Sequence, residues 1–519
     1  MSAEAPESED KEIELKLVFD PEHAAALCAH PLFEAGDDSV SGPRVLERKQ
    51  RELISIYYDT PDDDLRKAGV FLRVRNTGAG FVQTIKTARA ESEFLERREW
   101  ECDLPSDAVD LSAAEGTALA PLLSDAVRAA LGPRFQTRFA RQTYLIDDEG
   151  TVVEVAVDQG DIVAGDKSTR VCELELELKS GKGAALFSLA KRLAESVPLT
   201  LSVKTKAERG FDLLDGGEPE FEKALPVEIA PDETCADAFR IAARNCLRQV
   251  LVNLPGTRAG RAESLHQMRV GLRRLRAAVT LFGDVVDGPH RAQIATELKW
   301  IAGQLGPARD LDVFISDIVE PHRADYPDDP GWKAVEERVR GGREEAYKAA
   351  VAATGSARFR RALLDVGAWI EFGDWTEDGN RLARAPVEGY ASAKLSQLRR
   401  SVVKKGKDLH KLSVPKRHRL RILAKRMRYG SEFFGATFPG KRSAKRCQKS
   451  LAALEELQDS LGMLNDIANR QTLFDLGEGG PDPATLPMPK VGPTEEKTLM
   501  KTARNAYARF AKVGPFWKA

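Results

Sequence analysis

The hydrophobic period of this chain changes once, and that change limits what it can fold into. Up to about residue 215, apolar and polar residues alternate with period two, the pattern of half-buried strands. Lys11–Phe19, Leu53–Asp59, Val70–Arg75, Phe81–Thr87, Leu95–Asp103, Thr137–Asp147, Thr151–Asp158 and Val171–Lys179 all carry it. Short helices are expected at about Leu119–Leu131 and at Gly183–Ser196. After the polar, Pro-containing stretch Glu218–Pro231, nothing to about Asp475 reads as a strand, and a 3.6-residue period takes over. The Pro/Gly-rich segment after Leu476 gives way to a last helix near Thr494–Lys512. The fold class expected is an α+β N-terminal domain, built as an eight-stranded antiparallel barrel, joined to an all-α C-terminal domain. The expected boundaries are an acidic leader at 1–10, a barrel domain at 11–215, a linker at 216–231 and a helical domain at 232–515.

Charge divides at the same place. The formal net charge of −2 is the sum of −16 over residues 1–224 (28 basic, 44 acidic) and +14 over 225–519 (50 basic, 36 acidic). Residues 391–450 alone hold 19 basic and 2 acidic side chains, a concentration that attracts polyanions. Six cysteines at 28, 102, 172, 235, 246 and 447 have neither CxxC nor zinc-ligand spacing. With no apolar run long enough to span a bilayer and no secretion signal at the start, a cytoplasmic protein without a membrane partner is expected.

In the N-terminal half the polar faces of the strands are themselves charged. Glu12, Glu14 and Lys16 share one face of the first strand; Glu173, Glu175 and Glu177 share one face of a later strand. Rows of carboxylates repel unless cations sit among them, and hard divalent metals take oxygen ligands of this kind. Arg73 with Arg75, Thr84 with Lys86, and Arg97 with Glu99 repeat the alternation with basic residues, and Lys206 and Arg209 follow. A barrel interior lined this way suits a highly charged, metal-bound anion.

The ordered set Glu12-x-Glu14-x-Lys16, Tyr58-Asp59-Thr60-Pro61, Leu72-Arg73-x-Arg75, Thr84-x-Lys86, Glu173-x-Glu175-x-Glu177 and Lys206-x-x-Arg209-Gly210 resembles the CYTH domain, the triphosphate tunnel metalloenzymes, over about residues 11–215. The resemblance implies an eight-stranded tunnel, Mg²⁺ or Mn²⁺, and hydrolysis or cyclisation of triphosphates. It places Glu12, Glu14, Glu175 and Glu177 at the metal, and Lys16, Arg73, Arg75, Lys86, Arg97, Lys206 and Arg209 at the phosphates. Glu12, Glu14 and Lys16 form the catalytic row, and Glu99, Arg141 and Asp158 are further lumen residues.

The C-terminal half contains an internal repeat. Leu265–Arg276 and Arg417–Arg428 are matched basic segments, each followed by a Phe-Gly, at Phe282-Gly283 and Phe434-Gly435; Leu305-Gly306-x-x-Arg309-Asp310-Leu311 matches Leu461-Gly462-x-x-Asn465-Asp466-Ile467. His266, Arg269, Arg273 and Arg276 fall on one helical stripe, and His418, Arg421, Lys425 and Arg428 on its counterpart. Stacked cations repel one another, and a bound anion relieves that repulsion. Met268, Leu272, Leu275, Val279 and Phe282 make an apolar stripe beside the first; Gly271 within it suggests close approach of a neighbouring helix. This half resembles the CHAD domain over about residues 230–515, which implies two pseudo-symmetric helical bundles, a basic groove and binding of long-chain inorganic polyphosphate. Together the two resemblances point to an inorganic triphosphatase of the bacterial type, with tripolyphosphate as leading substrate. Alternatives are a triphosphatase for thiamine triphosphate or nucleotides, and a polyphosphate-granule scaffold with an inactive tunnel. Nucleic acid fits the basic stripes poorly, because only Tyr429 offers a stacking surface.

Overall fold

The computed structural model describes residues 10–34, 43–87, 95–217, 219–328, 330–376, 379–473 and 493–518. Residues 1–9 of the expected leader and the Pro/Gly-rich segment before the last helix lie outside the described residues. The chain forms two compact units. One comprises residues up to Glu222 together with Leu251–Pro255 and Thr354–Gly373; the other comprises Lys223–Val250, Gly256–Ala353 and Asp374 onwards.

The first unit is a nine-stranded antiparallel sheet. Its strands are β1 (Asp10–Val18), β2 (Arg44–Asp59), β3 (Val70–Asn76), β4 (Phe81–Thr87), β5 (Glu96–Leu104), β6 (Gly132–Asp148), β7 (Thr151–Ala164), β8 (Lys167–Ser180) and β9 (Thr200–Leu201). The order is β5-β4-β3-β2-β6-β7-β8-β1-β9, and β1 also pairs with β5. Strand β1 bridges the two ends: Glu14–Val18 lie against β8 and Asp10–Ile13 against β5. Strands β1 to β8 therefore close on themselves, and β9 is a short addition to β1. Closure removes the exposed sheet edges.

Behind the charged rows, Leu15, Leu17, Leu174, Leu176, Val155 and Val157 are fully buried. The helix Ala184–Leu193 covers them with Leu186, Phe187, Leu189, Ala190 and Leu193. A second cluster of Tyr57, Phe135, Phe139 and Phe211 seats the helix Lys206–Leu214.

One strand expectation and one helix expectation are refined by the structure. Strand β2 starts at Arg44, well before Leu53, because residues 44–52 pair with β6 over Ala140–Asp147 while remaining largely exposed, so no apolar alternation marks them. The short helical interval expected at about Leu119–Leu131 consists of a 3₁₀ turn at Ala120–Leu122 and a short helix at Asp125–Ala130. Ser124 interrupts, its hydroxyl accepting a hydrogen bond from the Val127 N–H at 3.3 Å to start the second piece.

The second unit is mostly helical. The repeated basic segments lie in the helices Ala262–Leu281 and Val414–Phe433; the repeated Leu-Gly segments lie in Gly306–Phe314 and within Lys441–Leu473. The apolar stripe Met268, Leu272, Leu275, Val279 and Phe282 is buried throughout. Gly271 marks the expected close approach: a Cβ there would lie 3.1 Å from the Cys246 carbonyl oxygen of the helix Cys235–Val252.

Candidate active site and basic groove

The register of β1 against β8 sets Glu14 opposite Glu177 and Lys16 opposite Glu175. Because both strands alternate in phase, their carboxylates enter one cavity of about 270 Å³, whose lining includes Glu14, Lys16, Arg73, Arg75, Lys86, Glu175, Glu177 and Lys206. Glu12 lies opposite Arg97 in the β1–β5 pairing, and the side chains of both lie outside the described residues.

Most cations of this cavity are paired. Lys16 contacts Glu175 closely, Glu14 at 3.3 Å and Glu173 at 3.6 Å. Lys206 reaches Glu175 at 2.7 Å and both Glu173 and Asp158 at 2.8 Å. Arg141 binds both oxygens of Asp158, at 2.7 and 2.6 Å, and Glu175 at 2.6 Å. Burial alone would raise the Glu175 carboxyl; Lys16, Lys206 and Arg141 outweigh it and hold the group well below the usual range. Asp158, also buried, is held at about 2 by Arg141 and Lys206. Burial would lower Lys206, but Asp158, Glu173 and Glu175 raise it well above the ordinary lysine value. Lys86 pairs with Glu99 at 2.7 Å, and Arg73 lies 3.7 Å from both Glu99 and Glu101.

Arg75 differs. Its Nε donates to Ser55 Oγ at 3.1 Å, and among the described residues it makes no ion pair. Burial, with Arg73 and Arg141 beside it, lowers its guanidinium to about 10. A cation so placed is stabilised by any anion that enters.

Lys206 enters from a helix and not from a strand; Arg209, three positions on in Lys206–Leu214, is not among the lining residues. Thr205 and Glu208 form a reciprocal cap that fixes the helix start beside the cavity. Arg209 pairs with Glu173 at 3.3 Å. The Tyr-Asp-Thr-Pro segment is structural: the Asp59 carboxylate accepts from the N–H groups of Thr60, Leu65 and Arg66. Sequence reasoning missed Tyr57, Phe71, Glu101 and Glu154 in the lining. Phase could have found Glu101, two residues beyond Glu99, whereas Tyr57 looks like any core aromatic and packs on Phe135 with ring centroids 4.6 Å apart.

The donor chemistry of Glu14, Glu175 and Glu177 suits a hard divalent cation. Among the described residues, however, no three acidic, histidine or cysteine side chains are grouped closely enough to hold an ion. Glu175 is engaged by three cations and Glu177 by Lys179 at 2.6 Å.

In the helical unit a groove of about 550 Å³ brings Arg273 and Arg276 of the first repeat together with Lys425 of the second. Arg291, Lys299 and Arg426, outside the expected stripes, also line it. Arg273 and Arg276 are exposed, and Arg273 Nε donates to Tyr429 Oη at 2.8 Å, joining the two repeats. His266, Arg269, His418, Arg421 and Arg428 are not among the lining residues. Arg269 donates to the Ala302 carbonyl at 3.1 Å, and Arg428 pairs with Glu432 at 3.1 Å. The repeated glycines explain two of these placements. A Cβ on Gly306 would lie 3.3 Å from the Arg269 guanidinium, and one on Gly462 would lie 2.8 Å from that of Arg421. Each repeat thus seats its first stripe arginine on its own glycine, which removes that arginine from the groove.

Family comparison gives both halves a place. Residues 10–211 match the CYTH domain, and residues 241–475 match the CHAD domain. The chain carries a CYTH domain followed by a CHAD domain. It is 31% identical over 202 residues to the inorganic triphosphatase of Haemophilus influenzae, covering 39% of this chain and 54% of that protein. It is 26% identical over 294 residues to an uncharacterized protein of Mycobacterium tuberculosis, covering 52% of this chain and 53% of the relative. The chain thus spans about half the length of the curated relatives it matches. Among solved structures it is similar to the CHAD domain from the plant Ricinus communis, with 25% identity, a TM-score of 0.44, and coverage of 57% of this chain and 94% of that one. No helix among the described residues is long and apolar enough to cross a membrane.

Proposed function

We propose that the CYTH unit hydrolyses a terminal phosphoanhydride of inorganic tripolyphosphate, and that the CHAD unit binds long-chain polyphosphate along its basic groove. The observation that carries the first reading is Arg75, a cation without an acidic partner among the described residues, in the cavity that Glu14, Glu175 and Glu177 also line. Arg73, Arg75, Lys86 and Lys206 would neutralise the phosphate oxygens, with Lys16 between them and the acidic row; Arg97 and Arg209 would complete the phosphate set. Glu14 and Glu177, facing one another in register, would hold Mg²⁺ or Mn²⁺ together with Glu12 on the same strand face. Glu175 would join them on release from its cations. When bound, the metal would polarise the phosphoryl group and lower the pKa of a coordinated water. The reaction consumes one water and yields phosphate and diphosphate.

The two repeats are read as pseudo-symmetric halves that present Arg273, Arg276 and Lys425 to a chain of phosphates. A granule-binding role in the cytoplasm rests on this second reading alone. The test is a phosphate-release screen of tripolyphosphate, thiamine triphosphate, ATP and long polyphosphate with Mg²⁺ or Mn²⁺. Fastest release from tripolyphosphate is expected. Preference for an organic triphosphate would replace the substrate, and no release from any would leave the scaffold reading.

A further inference from the structure

The helix Ala357–Phe372 falls within the span matched by the CHAD domain, yet it packs in the CYTH unit. Leu363, Leu364, Val366 and Ile370 are at most 1% exposed. Phe372 meets Phe187 of the helix Ala184–Leu193 with ring centroids 6.1 Å apart, and Asp365 pairs with Lys191 of the same helix at 2.5 Å. Gly367 permits the closest approach: a Cβ there would lie 2.9 Å from the Phe187 ring and 3.6 Å from Leu201.

Leu201 connects this packing to the cavity. It lies on β9 opposite Leu17, and the next residue, Ser202, donates its N–H to the Lys16 carbonyl at 2.9 Å. Thus the helix rests on a segment bonded directly to the β1 backbone that carries Glu14 and Lys16. We infer that Ala357–Phe372 is a positioning element of the tunnel: it fixes β9, and through β9 the catalytic stretch of β1. Catalysis in the CYTH unit then requires a segment encoded among the helices of the CHAD domain. The barrel sequence up to residue 216, although it contains every residue expected at the metal and the triphosphate, is incomplete without it.

The activity arm of the test rests on the proposed triphosphatase reaction, so a second readout is independent of it. In the full chain, Gly367→Phe is expected to speed amide exchange in residues 10–18 and 200–202 while leaving the helix Ala262–Leu281 protected. Tripolyphosphate turnover should fall about 10- to 100-fold, the size of effect that small misplacement of a reacting group produces, with long-polyphosphate binding within about twofold of wild type. Asp365→Lys should give a smaller fall, and adding Lys191→Asp should restore it; this pair decides the matter should the bulkier variant not fold. Unchanged exchange in β1 and β9 with turnover within about twofold in Gly367→Phe, or failure of the charge swap to restore Asp365→Lys, overturns the inference. A wild-type chain that releases no phosphate overturns the activity reading instead, and exchange still decides this one.

Discussion

In the tunnel, Lys16, Arg141 and Lys206 each contact two or more carboxylates and are largely shielded from water. In the groove, Arg273 and Arg276 are exposed, and the Arg273 guanidinium donates to a tyrosine hydroxyl. The difference is one of charge balance. Burying like charges in a closed barrel is costly, so most of its cations, Arg75 excepted, arrive with acids and are held in place by them. A helical surface can leave cations in water and let an incoming polyanion replace the counterions. The first arrangement fixes geometry, as the proposed phosphoryl transfer would demand; the second supplies reach and attraction with little geometric constraint.

The largest effect that would test this contrast is in the tunnel. Glu14→Gln should lower tripolyphosphate turnover by about 1,000-fold or more, since metal-based charge stabilisation contributes several kcal/mol. Chelator should abolish activity in the wild type, and Mg²⁺ or Mn²⁺ should restore it. Neither treatment should alter polyphosphate binding by the CHAD unit; undiminished phosphate release by the variant would remove Glu14 from the site.

Next comes Asp158, which holds Arg141 and Lys206 in the tunnel. Asp158→Asn should destabilise the CYTH unit by about 3–5 kcal/mol, the range for breaking a buried pair. The wild type supplies a pH test of the same network. Asp158 has a depressed folded pKa, so its stabilisation is complete above the unfolded value of about 4 and is lost as pH falls through about 2. Thermal stability of this unit should therefore hold from pH 8 to about 5 and decline below about 4. A variant that melts like wild type, with the same acid limb, would show that the pairing contributes no stability.

A smaller effect belongs to the groove. Arg273→Glu and Lys425→Glu should each weaken long-polyphosphate binding by about 10-fold, the scale expected when one phosphate pairing gives way to a repulsion. Wild-type binding should fall steeply with salt, whereas the KM of the tunnel, whose charges are enclosed, should change less. Equal salt dependence at the two sites would erase the distinction between them.

The smallest effect concerns His266. Burial and the nearby Arg309 lower its pKa below the ordinary 6.5. His266 does not line the groove, so His266→Ala should change long-polyphosphate affinity by less than about twofold from about pH 8 to 6; a rise in affinity at low pH that the variant removes would bring it to the ligand, because a bound anion favours the protonated form.

The sequence carried much of this. Period-two alternation located the eight barrel strands because most of them alternate apolar with polar or charged residues, and the phase of Glu14, Lys16, Glu175 and Glu177 followed from the same rule. The apolar stripe from Met268 to Phe282 was equally legible, since helix periodicity is local. The exposed part of β2, residues 44–52, was not, because its strand character comes from pairing with β6 and not from its own side chains.

Only the tertiary structure decided the rest. Which strands neighbour one another, and hence that β1 closes the barrel by pairing with both β8 and β5, depends on contacts far apart in sequence. That Arg75 makes no ion pair among the described residues while Arg141 makes two is invisible in their shared residue type. A basic stripe looks uniform along a helix, yet Arg273 reaches the groove while Arg269 is drawn onto Gly306. The placement of Ala357–Phe372 in the barrel unit has the same origin. Periodicity says which face of a helix is buried, and only the folded chain says what that face is buried against.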